Sequence, residues 1–426
     1  MPLVFVHGIA NRRERGAYRA DRLRDAMFTE HLLPSLPGPS GEHRVHAAYW
    51  GDLGGKLRWN GDSIPQDPCE PLGSDDNELN RILEQLEIMS VTGREWEMRL
   101  VLDAALHWLP DAIDLLFTLI TPPADDEAAR ALAALGARVA RYYGPDFSER
   151  AQEQASGWLS KLRNDEELID ALAERVPIAD DAVSVPGQRT NQGSTPGAGG
   201  EALGEERRSL TAPWSALRNG ARRLGRAAKE RTKERALRRP VRLLRDRAAS
   251  AIPLFIGDIT EYLAHRGSRS VPGPIVQRVV GTLEQACAER TPELPLYVVA
   301  HSMGGNIVYD ILTHFRPDLS VDFLVTVGSQ TGLFEELKLF RGSDPSLGAD
   351  GSKVHSLPNV SRWLNVVDLN DPLAFNAEPI FDGVVDYNYA SKALWAHSAW
   401  LHQPTFHARL ASRLTAAHTD SVGRAE

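Results

Sequence analysis

Apolar positions in this chain come in short unbroken runs separated by longer stretches of helical period. Residues 2–6 (Pro-Leu-Val-Phe-Val), 44–50 (Arg-Val-His-Ala-Ala-Tyr-Trp), 296–299 (Leu-Tyr-Val-Val), 321–327 (Val-Asp-Phe-Leu-Val-Thr-Val) and 362–367 (Arg-Trp-Leu-Asn-Val-Val) read as buried strands. A shorter run at 384–389 reads as a last one. Between them the spacing predicts helices over 12–33, 252–265, 273–290, 303–315 and 397–414. Strand alternating with helix predicts an α/β fold with a parallel sheet.

That alternation stops at Gly51 for about 200 residues. Residues 51–76 are rich in Gly, Pro and Asp and read as loop. Residues 77–120 and 125–175 carry helical periodicity, with Leu79, Ile82, Leu83 and Leu86 in the first and Trp158, Leu162, Leu168 and Leu172 in the second. Pro110, Pro122-Pro123 and Gly144-Pro145 are the expected breaks. The organisation that follows is a core beginning at 1–50, a helical insertion over 51–179 expected to cap the site, a flexible linker over 180–206, a basic helical segment over 207–250, the rest of the core over 251–415, and a frayed tail over 416–426.

Charge changes the picture at one place. The whole chain carries −9, an ordinary value, but residues 207–247 hold 15 Lys or Arg against Glu230, Glu234 and Asp246. That segment is +12, so the remaining residues carry −21. Leu217, Leu224, Leu237, Leu243 and Leu244 would line a narrow apolar stripe on it, with Pro240 as a break. Such a helix could lie on an anionic membrane surface or meet an acidic partner. It could equally dock on the acidic surface of its own protein, and charge runs are usually solvated faces of that kind. Nucleic acid is not the expected partner.

Composition excludes several classes. Cys69 and Cys287 form no disulfide framework and no metal spacing, which suits a reducing compartment. The apolar N-terminus has no basic region before it, and no uncharged apolar run is long enough to span a bilayer. A cytoplasmic location is expected, with peripheral membrane attachment through the basic segment as the variant. Gly8, Gly304 and Gly305 do not build a dinucleotide-binding loop, so no cofactor is implied. His402 and His407 are five apart, a spacing that does not align them as metal ligands.

The candidate chemistry centres on Ala300-His301-Ser302-Met303-Gly304, between the 296–299 strand and the following helix. Small residues two before and two after a serine allow a sharp strand-to-helix turn that presents its hydroxyl. The usual glycine is replaced here by Ala300. A serine needs a base to take its proton, and the base needs an acid to orient it. Asp371, in an Asp-Pro turn after the 362–367 strand, is the first choice for the acid and Asp368 the second. His397, after the last strand, is the first choice for the base and His402 the second.

These motifs resemble the α/β-hydrolase superfamily, in its serine esterases and lipases, over residues 2–50 and 252–410. The resemblance implies a three-layer sandwich around a mostly parallel sheet, trimmed of two N-terminal strands, and a large helical insertion. It implies the chain order Ser, Asp, His and an oxyanion loop at His7-Gly8-Ile9-Ala10. The backbone N–H groups of Met303 and Ile9 are then the oxyanion donors, with Ala10 as the alternative to Ile9. An ester is the expected substrate, a lipid-like one fitting the apolar insertion. A thioester, amide or peptide substrate is the alternative, and so is a non-catalytic module working through its basic helix.

Overall fold

The computed structural model describes residues 1–12, 17–37, 43–56, 58, 99–143, 147–176, 212–226, 240–348, 351–389 and 396–422. Its strands are β1 (Pro2–Val6), β2 (Arg44–Ala48), β3 (Tyr297–His301), β4 (Val321–Val327), β5 (Val360–Asp368) and β6 (Val384–Tyr389). They form one sheet in the order β2-β1-β3-β4-β5-β6, every pairing parallel. The expectation of a mostly parallel sheet is thus corrected to a wholly parallel one among the described residues.

Helices cover both faces, which is why the inner strands are apolar throughout rather than alternating. On one face Val4, Val6, Val298, Ala300 and Leu324 meet α8 (Pro240–His265), α9 (Pro274–Glu289) and α10 (Met303–Asp310). On the other, Leu3, Phe5, Val299 and Val325 meet the π-helical turn 28–32 after α1 (Ala17–Met27) and α13 (Pro404–Val422). Successive side chains of each strand therefore feed two separate cores, giving three layers.

The insertion has a core of its own. Its helices α2 (Leu100–His107), α3 (Leu109–Thr118), α4 (Asp126–Tyr142), α5 (Glu149–Leu159) and α6 (Asp165–Arg175) share a buried cluster with Leu23 and Met27 of α1. Asp125, Ser148 and Asn164 cap the last three of these helices through their side-chain oxygens. The described part of the expected cap is built onto α1 and α13, and α3 also touches the turn at 400–402.

Helix α7 (212–226) is one described part of the basic segment. Trp214, Leu217, Ala221 and Leu224 are buried in the insertion core. Arg218 pairs with Asp170, Arg222 with Glu166, and Arg223 donates to the carbonyl of Leu119 at 2.5 Å. The apolar stripe at Leu217 and Leu224 is thus docked on this protein's own acidic helix α6. Leu237 lies outside the described residues, as does the linker at 180–206.

Several boundaries differ from expectation. The predicted helix 12–33 is α1, a π-helical turn and a 3-10 turn, because His31 turns inward to bond the carbonyl of Pro404 at 2.8 Å. The boundary at 250/251 falls inside α8, which runs unbroken from the basic segment into the core. The tail expected to fray from 416 continues α13 to Val422. The 303–315 helix is α10 followed by a π-helical turn at Ile311–Phe315. No helix is long and apolar enough to cross a membrane among the described residues.

Candidate active site

Strand order places the candidate serine. From β1 the chain crosses to β2 on one side, and β3 leads to β4 on the other, so the order reverses between the adjacent strands β1 and β3. Ligand crevices in such sheets open at the carboxyl ends of the strands at this point. Ser302 sits there, at the end of β3, and the loop 7–10 sits beside it at the end of β1.

Ser302 has φ 54° and ψ −128°, a conformation a non-glycine residue rarely adopts. The turn is held by Ser302 N–H donating to Val327 O at 2.9 Å and Gly305 N–H to Ser302 O at 3.0 Å. Ala300 is fully buried between Val6 and Thr326 on the neighbouring strands, so a small residue is required and alanine meets that need. A Cβ on Gly8 would lie 2.6 Å from Ser302 Cβ and 3.1 Å from its Oγ. Only glycine allows β1's exit loop to pass this close to the serine.

His7 organises that loop. Trp50 N–H donates to His7 Nε2 at 2.9 Å, which makes Nε2 the bare nitrogen and Nδ1 the protonated one. Nδ1–H donates to Gly8 O at 2.5 Å, and the Trp50 indole donates to His7 O at 2.9 Å while its ring stacks on the imidazole at 4.9 Å. Gly8 C=O and Ile9 N–H belong to one peptide plane and point in opposite directions. Holding the carbonyl therefore fixes the direction of the Ile9 N–H. Ala10 N–H, the alternative donor, already donates to Asp258 Oδ2 at 2.7 Å. Met303 opens α10, where backbone N–H groups lack helical partners.

Asp371 and His397 meet. His397 Nδ1 lies 2.7 Å from Asp371 Oδ2, and Leu373 N–H donates to Asp371 Oδ1 at 2.9 Å. Asp368 shapes the same turn: its carbonyl accepts Asp371 N–H and its carboxylate accepts Asn370 N–H, both at 2.9 Å. The second-choice acid thus bonds backbone while Asp371 faces the imidazole. The second-choice base, His402, lies in the 3-10 turn Trp400–His402 beyond His397. With Nδ1–H directed at a carboxylate, His397 Nε2 is the nitrogen able to accept a proton.

Gly328 joins the serine to this pair. It follows Val327, whose carbonyl holds Ser302, and it has φ +56°. A Cβ there would meet Asp371 Oδ2 at 2.7 Å and His397 Nδ1 at 3.3 Å. Ser302 Oγ and His397 Nε2 are both buried, and neither has a hydrogen-bond partner among the described residues. The two atoms are thus not bonded to each other, and since buried polar atoms are ordinarily paired, each calls for a reason, of which a catalytic role is one.

Two supporting side chains carry no sequence signal beyond their type. His301 Nε2 bonds the carbonyl of His397, and the rings lie 4.7 Å apart. Burial, with His397 beside it, pushes the His301 pKa well below the usual histidine value, so it stays neutral and donates this bond. Gln330 Nε2 donates to Gly328 O at 3.0 Å and Leu373 O at 2.6 Å, stapling the acid turn to the glycine. A cavity of about 420 Å³ adjoins Asp371, lined by Glu336, Asp368 and Asn376 as well as Leu333, Phe375 and Ile380, and Ser302 and His397 are not in its wall. No cluster of three His, Cys, Asp or Glu is placed to hold a metal ion among the described residues.

No family model, no curated protein and no solved structure matches this chain.

Proposed function

We propose that the chain is a serine hydrolase of the α/β-hydrolase type that cleaves carboxylic esters through an acyl-enzyme. The observation that carries this reading is Ser302, held at φ 54° on a strand-to-helix turn, with the Asp371–His397 pair gathered against the adjoining Gly328.

The chemistry follows from the roles. Ser302 Oγ attacks the carbonyl carbon while His397 Nε2 takes its proton. Asp371 keeps the Nδ1–H tautomer and stabilises the imidazolium that results. The tetrahedral oxyanion is held by the N–H groups of Met303 and Ile9, whose directions the protein sets in advance. Collapse expels the alkoxide, which His397 protonates. Water then repeats the sequence on the acyl-enzyme and regenerates Ser302. An ester is favoured because an alkoxide leaves more readily than an amide nitrogen.

A fluorophosphonate probe tests the core claim. Wild type should be labelled and Ser302→Ala should not; a folded, unlabelled wild type would sink the reading. An ester chain-length series run against thioesters and anilides then identifies the acyl bond preferred.

A further inference from the structure

Asp258 lies on α8, where the chain returns from the insertion, and its carboxylate is fully buried. Oδ2 accepts Ala10 N–H at 2.7 Å and an Arg12 guanidinium N–H at 3.1 Å. Oδ1 accepts Gly55 N–H at 2.8 Å and a second Arg12 N–H at 2.5 Å. Arg12 also donates to Gly55 O at 2.9 Å. One carboxylate thus ties the exit loop of β1 to the chain entering the insertion and to the helix leaving it.

Ala10 has φ 55°, a left-handed conformation that an alanine disfavours. A hydrogen bond to a charged carboxylate is among the stronger ones available to a backbone N–H and can hold it there. Ile9 is then clamped on both sides. His7 grips the peptide before it through Gly8 O, and Asp258 grips the peptide after it through Ala10 N–H.

We propose that Asp258 is a positioning residue for the oxyanion loop, and that its carboxylate couples both ends of the insertion to the reacting serine. This rests on the reading of Ser302 as a nucleophile. Without Asp258, Ala10 relaxes toward the right-handed region and the Ile9–Ala10 peptide rotates, so the Ile9 donor keeps only the His7 hold on the peptide before it and its aim loosens. The Asp371–His397 pair belongs to other loops and keeps its own hydrogen bonds.

The test uses the full chain as wild type, Asp258→Ala and the near-isosteric Asp258→Asn. Two quantities are read with a fluorophosphonate: the final fraction of Ser302 labelled and the rate constant of labelling. Phosphonylation places an anionic oxygen at the oxyanion position, so its rate depends on the donors. The expected result is full final labelling at a rate about 10- to 100-fold lower, with a matching fall in kcat and little change in KM for a p-nitrophenyl ester. A merely structural role would lower the final fraction while the labelled sites react at the wild-type rate. That outcome, in Asp258→Asn alone if Asp258→Ala does not fold, overturns the proposal. A wild type that is never labelled overturns the hydrolase reading instead.

Discussion

Gly8 and Ser302 occupy one another's space so closely that a Cβ on Gly8 would stand 2.6 Å from Ser302 Cβ. Such a separation is below any real carbon–carbon contact, so Gly8→Ala must displace either the serine or the loop. Displacements of that size at a reacting centre cost about 10²-fold. Gly8→Ala should fold and lose kcat/KM by at least that order against a p-nitrophenyl ester. Wild-type activity in a folded Gly8→Ala protein would mean that the loop is not part of the site.

The backbone of Ser302 supplies a stability prediction. At φ 54° and ψ −128° its Cβ is strained, and such residues cost about 1–3 kcal/mol. Glycine carries no Cβ and removes the strain, while alanine retains it. Ser302→Gly should therefore resist urea better than Ser302→Ala by about 1 kcal/mol, with both inactive. Equal midpoints would refute the strain account.

The two aspartates of the acid turn should separate cleanly. Asp371 Oδ2 orients His397, whereas the Asp368 carboxylate bonds a backbone N–H. Asp371→Asn should lower kcat by about 10³–10⁴-fold through loss of the required tautomer. Asp368→Asn can still accept the Asn370 N–H and should cost far less. Comparable losses would reassign the acid.

Helix α7 should behave as part of the fold. Leu224 is fully buried in the insertion core, while Arg222 and Glu166 meet at the surface. Leu224→Ala should destabilise the chain by about 2–5 kcal/mol. Arg222→Ala should leave the unfolding midpoint close to that of wild type. The reverse ranking would mean that α7 is not docked through its apolar face.

Opposed buried groups shape the pH dependence of stability. Burial lowers His31 to about 4 and His407 to about 3. Unfolded histidine takes a proton near about 6.5, so below that pH the unfolded chain binds more protons and these two sites cost stability as pH falls. Burial raises Asp114 and Asp165 to about 7. Between about 3.9 and that value the folded chain binds more protons, so these two cost stability as pH rises. The contributions offset one another in wild type. Asp114→Asn removes one of the opposing pair, and its stability should fall more steeply than wild type on acidification from about pH 7 to about pH 5. Urea titrations across that range check this, and parallel curves for the two proteins would contradict it.

Much of the scaffold was readable along the chain. Strands β1, β4 and β6 match their expected ends. For β1 and β4 the reason is burial on both faces, which needs near-unbroken hydrophobicity, whereas β6 is an edge strand of mixed burial that leaves Val385 exposed. The run at 44–50 ends early, at Ala48, because Trp50 turns its backbone and indole N–H groups onto His7. Periodicity reports which face of an element is apolar but not what covers it. That Leu217 and Leu224 are buried in the insertion core is therefore visible only in the tertiary structure.

By itself the sequence determined the turn at Ser302, since small residues around a serine between a strand and a helix are a local requirement. It also placed an acid and a histidine after later strands in a usable order. The tertiary structure set Asp371 rather than the Asp368 carboxylate against His397 and directed Ala10 N–H to Asp258. It also brought in His301, Gly328, Gln330 and Asp258. Those decisions rest on contacts between residues as much as 248 positions apart, such as Ala10 and Asp258. Such contacts are set by strand order and the packing of two cores, which no local pattern encodes.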